Sequence, residues 1–314
     1  MHGPGYRSLR EAAARAMESG LRFLDGIIGA DGAWPASGIF DCGRTVVPEW
    51  TPFAAAAGIV ALEACGTSRA AALELRSRAF LHSRIVYPGV WRYYARLAPD
   101  LDDTALCSVV AGPHLWLVMG RNVGPILSCR DDEGLFRTWM LRGGEFESSP
   151  NLVDSVVNAN VLAYLGDRPE TQAAQQWLAK LVEEGLEPGT SPHYLSTMDL
   201  YAAMARASRL APSVFARLRA TLAARIVGLF EAGGETIDAY RMAQAVTALV
   251  ELQASGEEEV IRRALGGLLE AQRADGGWPE CLIWKCRPGV DGLFSSEALT
   301  TACCIGAMAR AVRV

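Results

Sequence analysis

The sequence predicts an all-α fold, a single (α/α)6 toroid of six inner and six outer helices that takes residues 1–314 as one domain. Two observations carry this. Segments that are apolar on every side alternate along the chain with segments apolar on one side only; the first pattern marks buried helices and the second marks helices with a solvent face. Running through the alternation is a repeat of helix end, glycine turn and tryptophan, and such a repeat signals one supersecondary unit stacked many times against a shared core.

Taken in order, "RSLREAAARAMESGLRFL" is the first outer helix, and "FLDGIIGADGAW" ends it at Trp34. The apolar "WTPFAAAAGIVALEACG" is the first inner helix. "FLHSRIVYPGVW" closes the next unit at Trp91, and the inner segment "LDDTALCSVVAG" follows. The remaining inner segments are "LVDSVVNANVLAYLG", "STMDLYAAMARAS", "TIDAYRMAQAVTALV" and "SSEALTTACCIGAMA", with the turn "LLEAQRADGGW" ending at Trp278 before the last of them. A fourth candidate turn, "WLAKLVEEG" from Trp177, keeps only the front half of the repeat. In the three full copies Gly32, Gly89 or Gly276 stands two residues before the tryptophan. Each reads as a helix stopped by a glycine, with the indole folded back onto the helix end.

Five of the six inner segments open on an acid: Asp103, Asp154, Asp199, Asp238 or Glu297. Acids suit a helix N-terminus, where free backbone N–H groups and the positive end of the dipole meet them. In a toroid the inner N-termini point the same way, so these acids ring one mouth.

Composition narrows the function. Half of the 314 residues are hydrophobic, the formal net charge is -5, and Lys and Arg are scattered. Nucleic acid is therefore not an expected partner, since no basic footprint is present. The N-terminal "MHGPGYRSLREAAARAM" lacks an apolar signal core, and runs such as "AAAAGIVAL" are too short to span a bilayer. A cytoplasmic protein without a transmembrane segment is expected. The eight cysteines form no CxxC pair and mostly sit in apolar helical runs, and the four histidines are dispersed. Small buried hydrophobes fit that pattern better than disulfides or metal ligands.

The stretch "APDLDDTALCSV" sets Asp100, Asp102 and Asp103 side by side at an inner-helix start. An acid at position 103 suits a cap or a first helical turn; Asp100 and Asp102 are surplus to that need. Like charge and desolvation together raise the pKa of at least one member of such a group. Its proton, poised over an apolar pocket, can be delivered to a poor base such as an alkene. The same spacing also fits a solvated acidic loop.

These residues resemble a known family. "DLDDTA" looks like the D-x-D-D motif, with its following Thr-Ala, of class II terpene cyclases, which include squalene-hopene cyclases and copalyl diphosphate synthases. "RALGGLLEAQRADGGW" is similar to their QW repeat, with Arg263, Ala264, Gln272, Gly276 and Trp278 on its fixed positions. The resemblance implies that Asp102 is the general acid that protonates a terminal double bond or epoxide of a linear isoprenoid, flanked by Asp100 and Asp103. A carbocation cascade follows, steered by aromatic faces and kept from water. Candidates for those faces are Trp50, Phe53, Trp91, Tyr93, Tyr94, Tyr201, Tyr240, Trp284 and Phe294. Asp154 and Asn158 share a helix face, which is expected to look into the cavity; they either satisfy buried partners, or grip a substrate head group or hold the terminating water or base.

Protonation needs no cofactor, whereas a diphosphate substrate would bring cations and Mg2+ into play. Arg84, Arg92, Arg96, Lys285 and Arg287 lie in the loops after two of the tryptophan turns and are the candidate cations. The family's familiar members join this toroid to a second one, so a lone toroid must close its mouth by its own loops, by forming a homodimer, or with a partner protein. Departures from the QW pattern are Ile28 and Ile85, which stand where glutamine belongs. The alternative to an enzyme is a non-catalytic isoprenoid- or partner-binding toroid scaffold. The zinc ligands of protein prenyltransferase β-subunits and lanthionine cyclases, and the thioester motif of complement-like domains, are not seen.

Overall fold

A computed structural model describes residues 4–111, 121–141, 150–231, 237–286 and 289–313. Six apolar helices are α2 (Pro52–Leu62), α4 (Leu101–Val110), α6 (Ser155–Leu165), α8 (Thr197–Ala207), α10 (Ala239–Glu251) and α12 (Glu297–Ala311). Each touches the next in chain order and α12 returns to α2, so their contacts form a closed cycle. Small residues permit that closeness: Ala54, Ala55 and Ala56 of α2 are wholly buried, as are Ala298 and Ala302 of α12.

Around this cycle stand α1 (Pro4–Ile27), α3 (Ser68–Ser83), α7 (Gln172–Glu184), α9 (Pro212–Glu231) and α11 (Glu258–Ala271). Helix α1 presents Ala13, Ala16, Gly20 and Leu24 inward, a three-to-four-residue spacing that makes one face of a helix. At the place of the third outer helix the described residues hold only the short α5 (Val123–Leu127); residues 112–120 lie outside them.

The all-α expectation is corrected by a four-stranded antiparallel sheet. Its strands are β1 (Pro35–Phe40), β2 (Thr45–Trp50), β3 (Leu282–Lys285) and β4 (Leu293–Ser295), in the order β2-β1-β4-β3. All four lie in the connections that enter α2 and α12. These connections leave outer helices at the end where the inner helices begin, and pairing satisfies their backbone groups.

The three tryptophan turns share one geometry at the glycine. Gly32, Gly89 and Gly276 all have φ between +86° and +107°, a conformation costly for any residue with a Cβ. At Gly32 an added Cβ would also stand 2.1 Å from Arg76 O, and at Gly276 2.6 Å from Ser19 O. The indoles of Trp91 and Trp278 fold back as expected, each donating to a carbonyl ten residues earlier, Leu81 O at 2.9 Å and Leu268 O at 2.7 Å. Trp34 differs and donates to Ser77 Oγ of α3 at 2.7 Å. Gln272 binds Ala16 O and Gly276 O, tying the last turn to α1.

Candidate functional site: a carboxyl triplet at an apolar cavity

The inner helices begin with caps, and the acids fill different cap positions. Asp154 and Asp238 are N-caps, as is Asp100, whose carboxylate accepts from Asp103 N at 2.7 Å. Asp103 and Asp199 stand three residues further on in the first turn, and Glu297 is the first residue of α12, behind the cap Ser296. This corrects the sequence alignment: Asp100, rather than Asp103, is the counterpart of Asp154. The residues surplus to capping are Asp102 and Asp103.

Asp102 lines a cavity of about 270 Å3 together with Asp100, Asp103, Phe53, Tyr94 and Trp284. Behind it, Asn160 of α6 donates from Nδ2 to Asp102 Oδ1 at 2.6 Å, and Arg206 of α8 donates to Asn160 Oδ1 at 2.6 Å. Tyr194 donates its hydroxyl to the other carboxylate oxygen, Oδ2. Burial is the largest influence on Asp102 and raises its carboxyl to about 6, against the opposing pull of Tyr194 and Asn160. Asp100 is likewise raised to about 6 by burial.

Asp103 is pushed well above the usual carboxylate range, first by burial and then by the charge of Asp100. Among the described residues, Asp100 Oδ2 and Asp103 Oδ1 are buried carboxyl oxygens left without a partner, and the two groups titrate as a coupled pair. The triplet thus divides into a coupled pair, Asp100 and Asp103, and a third carboxyl, Asp102, held by Asn160 and Tyr194.

Aromatic rings make much of the wall. Trp284 stacks on Phe294 with centroids 5.9 Å apart, and Phe53 meets Trp284 edge-on at 5.1 Å. Trp284 Nε1 donates to Tyr93 Oη at 2.8 Å. Strands β3 and β4 supply Trp284, Lys285 and Phe294, so the unexpected sheet forms one side of the cavity.

Several residues expected at the cavity lie elsewhere. Trp50 is 53% exposed on β2, and Trp91 is buried in the core with its indole bound to Leu81 O. Tyr240 lines a separate interior space of about 90 Å3, with Arg206 and Glu251. Arg92 donates to Leu97 O at 2.8 Å and braces its own loop. Arg84 lies over the ring of Phe80, and Arg96 is exposed. Arg287 lies outside the described residues.

Asp154 and Asn158 do not face the cavity either. Asp154 accepts from Val156 N, Ser191 Oγ and His193 N, which anchors the loop that carries Tyr194. Asn158 holds both Phe136 N and Phe136 O, at 2.9 and 2.8 Å. Residues two apart on a helix point about 200° apart, so it is Asn160 that turns to the acid. Sequence reading missed Asn160 and Tyr194; the amide pair on one buried helix was the available signal for the first, and none marked the second.

Lys285 is the lysine or arginine among the described lining residues. Among the described residues no group of three His, Cys, Asp or Glu is placed to hold a metal ion. Both oxygens of Asp102 are engaged by Asn160 and Tyr194, an arrangement that suits proton transfer. All eight cysteines are free; Cys107, Cys281 and Cys304 are buried and Cys42 is exposed. No helix among the described residues is long and apolar enough to cross a membrane.

No protein-family model matches the chain, and no curated protein matches it. Solved structures do. A variant of the type II terpene cyclase MstE from Scytonema, in complex with its substrate geranylgeranyl dihydroxybenzoate, is 14% identical, with 98% of this chain and 99% of that one covered at a TM-score of 0.75. A protein from Actinoplanes is 19% identical, with 96% and 100% covered at 0.73. The ent-copalyl diphosphate synthase from Streptomyces platensis is 18% identical at 0.60; the match takes 83% of this chain and 50% of that one. With those likenesses the chain has the fold found in type II terpene cyclases.

Proposed function

We propose that the chain is a class II terpene cyclase-like enzyme, an isomerase that starts cyclisation of a linear isoprenoid by protonating a terminal alkene or epoxide from Asp102. The observation that carries this reading is a raised carboxyl facing an aromatic cavity while two donors wait behind it. When the proton leaves, the new carboxylate already has Asn160 and Tyr194 as partners, and Arg206 lies behind Asn160. Preorganised donors of this kind stabilise charge that develops in the transition state. Asp100 and Asp103, whose carboxyls are raised as well, stand beside Asp102 as a coupled pair.

The cation so formed meets the faces of Trp284, Phe53 and Tyr94, whose quadrupoles stabilise positive charge where water is kept out. Lys285 at the cavity wall favours a substrate with an anionic head group. The cycle of six inner helices with an outer layer supports a single (α/α)6 toroid working as one domain, and the sheet that walls the cavity supports closure of the mouth by the chain's own loops rather than by a second copy or a partner. Proton transfer from Asp102 requires no cofactor, and no step here runs through Mg2+. The neighbours' substrates make geranylgeranyl chains the first to try.

The test is product analysis by mass spectrometry after incubation with geranylgeranyl dihydroxybenzoate, geranylgeranyl diphosphate, farnesyl diphosphate and squalene, beside Asp102→Asn. A cyclic product that disappears in the variant is the expected result. Four substrates returned unchanged by a folded protein would sink the cyclase reading and leave the scaffold.

A further inference from the structure

A cascade begun by an acid must end with a base, and the cavity wall offers a candidate that the initiation chemistry leaves unused. Glu49 of β2 is 5% exposed and does not itself line the cavity. Its two carboxylate oxygens are both taken by tyrosines that do. Tyr94 donates to Oε1, and Tyr93 donates to Oε2 at 3.2 Å. Tyr93 in turn accepts from Trp284 Nε1, so its oxygen is held between two partners, whereas Tyr94 is 37% exposed at the cavity edge.

We infer that Tyr94, backed by Glu49, is the base that ends the cascade. This rests on the cyclase reading. In the closing step, a C–H bond next to the cationic carbon breaks and its electron pair becomes the new C=C bond. The released proton goes to a lone pair of Tyr94 Oη while Tyr94 passes its own proton to Glu49 Oε1. Tyr94 ends neutral, Glu49 ends as a carboxylic acid, and the cation is discharged. Across the whole reaction one proton has moved from Asp102 to Glu49, and solvent at the exposed edge of Tyr94 carries it away.

Three features of the geometry fit this assignment. The carboxylate reaches the cavity only through a phenol, so it cannot collapse onto the cation and form an ester. It stands on β2, linked through Tyr93 to Trp284, whereas the acid stands at the start of α4. Burial also raises the Glu49 carboxyl, which makes its carboxylate a stronger base. Tyr93, with its oxygen engaged on both sides, positions Glu49 rather than reacting.

The experiment is product partition in Tyr94→Phe and Glu49→Gln, run in D2O with geranylgeranyl dihydroxybenzoate, geranylgeranyl diphosphate and farnesyl diphosphate. Glu49→Gln keeps an oxygen facing Tyr94 but removes the base. Deuterium at the initiating carbon reports protonation by Asp102 independently of how the cascade ends. The expected result is deuterated product in both variants, with the ratio of the wild-type alkene to isomeric alkenes and water-quenched alcohols falling tenfold or more. Deuterated product with an unchanged ratio in both variants overturns the role of Tyr94 and Glu49 and leaves the cyclase reading standing. Absence of any Asp102-dependent product from the wild-type protein overturns the cyclase reading and this inference with it.

Discussion

Asn160 donates to Asp102 at 2.6 Å from the neighbouring inner helix, and through that bond a cation, Arg206, is linked to the acid without touching it. The amide favours the ionised form of Asp102, which makes the protonated form a stronger acid. Removing it in Asn160→Ala should slow cyclisation by about 10²- to 10³-fold, the range seen when one preorganised donor is lost from a developing anion. The same change should move the pH inflection of kcat/KM upward, because burial then acts on Asp102 less opposed. Single-turnover rates across pH check both effects; a slower enzyme with an unmoved inflection would mean that Asn160 acts only on packing.

For the wild-type protein, the acid must carry its proton in the free enzyme. With the Asp102 carboxyl raised to about 6, kcat/KM should be level below that pH and fall about tenfold per unit above it. Asp100, raised to a similar value, ionises over the same range, and the repulsion between the two carboxylates broadens the fall. Burial lowers His193, which favours its neutral form. The profile from pH 4.5 to 8.5 is the measurement, and a rate that climbs with pH would assign the slow step to a base.

An acid kept in this state costs stability. A carboxyl raised in the folded protein contributes its stability below the unfolded value and loses it as pH rises through the folded one. For Asp102 the loss runs from about pH 4 to about 6. The rise from 3.8 to about 6 corresponds to a penalty of about 3 kcal/mol at neutral pH, which access of water to the cavity reduces to about 1–2 kcal/mol. Asp102→Asn should therefore be inactive yet more stable than the wild type at pH 8, with the difference vanishing at pH 4. Urea denaturation at the two pH values tests this, and a variant less stable at pH 8 would show that the carboxylate's hydrogen bonds outweigh its desolvation.

How much of this was legible in the sequence follows from how local each feature is. The glycine turns were readable because Gly32, Gly89 and Gly276 each meet a local demand for positive φ at a fixed distance from a tryptophan. The inner helices were readable because burial on all sides writes itself as unbroken apolar sequence. The sheet was not, since "PASGIF", "TVVPEW", "LIWK" and "LFS" are short and β2 is mostly exposed, so no alternation was imposed on it. Asp102 was found by its motif, whereas Tyr194 is its partner only because the fold brings together residues 92 apart in sequence. The cap position of Asp100 was misplaced by three residues because an acid at either position 100 or 103 suits the same helix start.

The choice of Asn158 over Asn160 from sequence leads to a last prediction. Asn158 accepts from Phe136 N and donates to both Phe136 O and Asp154 O. It therefore substitutes for a strand partner to a buried stretch of loop that no sheet reaches. In Asn158→Ala the amide and carbonyl of Phe136 lose these bonds in a site closed to solvent, at about 1–3 kcal/mol for each group left unsatisfied. The variant should lose about 2–4 kcal/mol of unfolding free energy. Because Asn158 does not line the cavity, the folded fraction should keep the wild-type KM and product ratio. Denaturation and steady-state kinetics on one preparation separate the two possibilities: full stability with a raised KM would mean that the amide grips the substrate after all, while lost stability with an unchanged KM assigns it to holding the loop against α6.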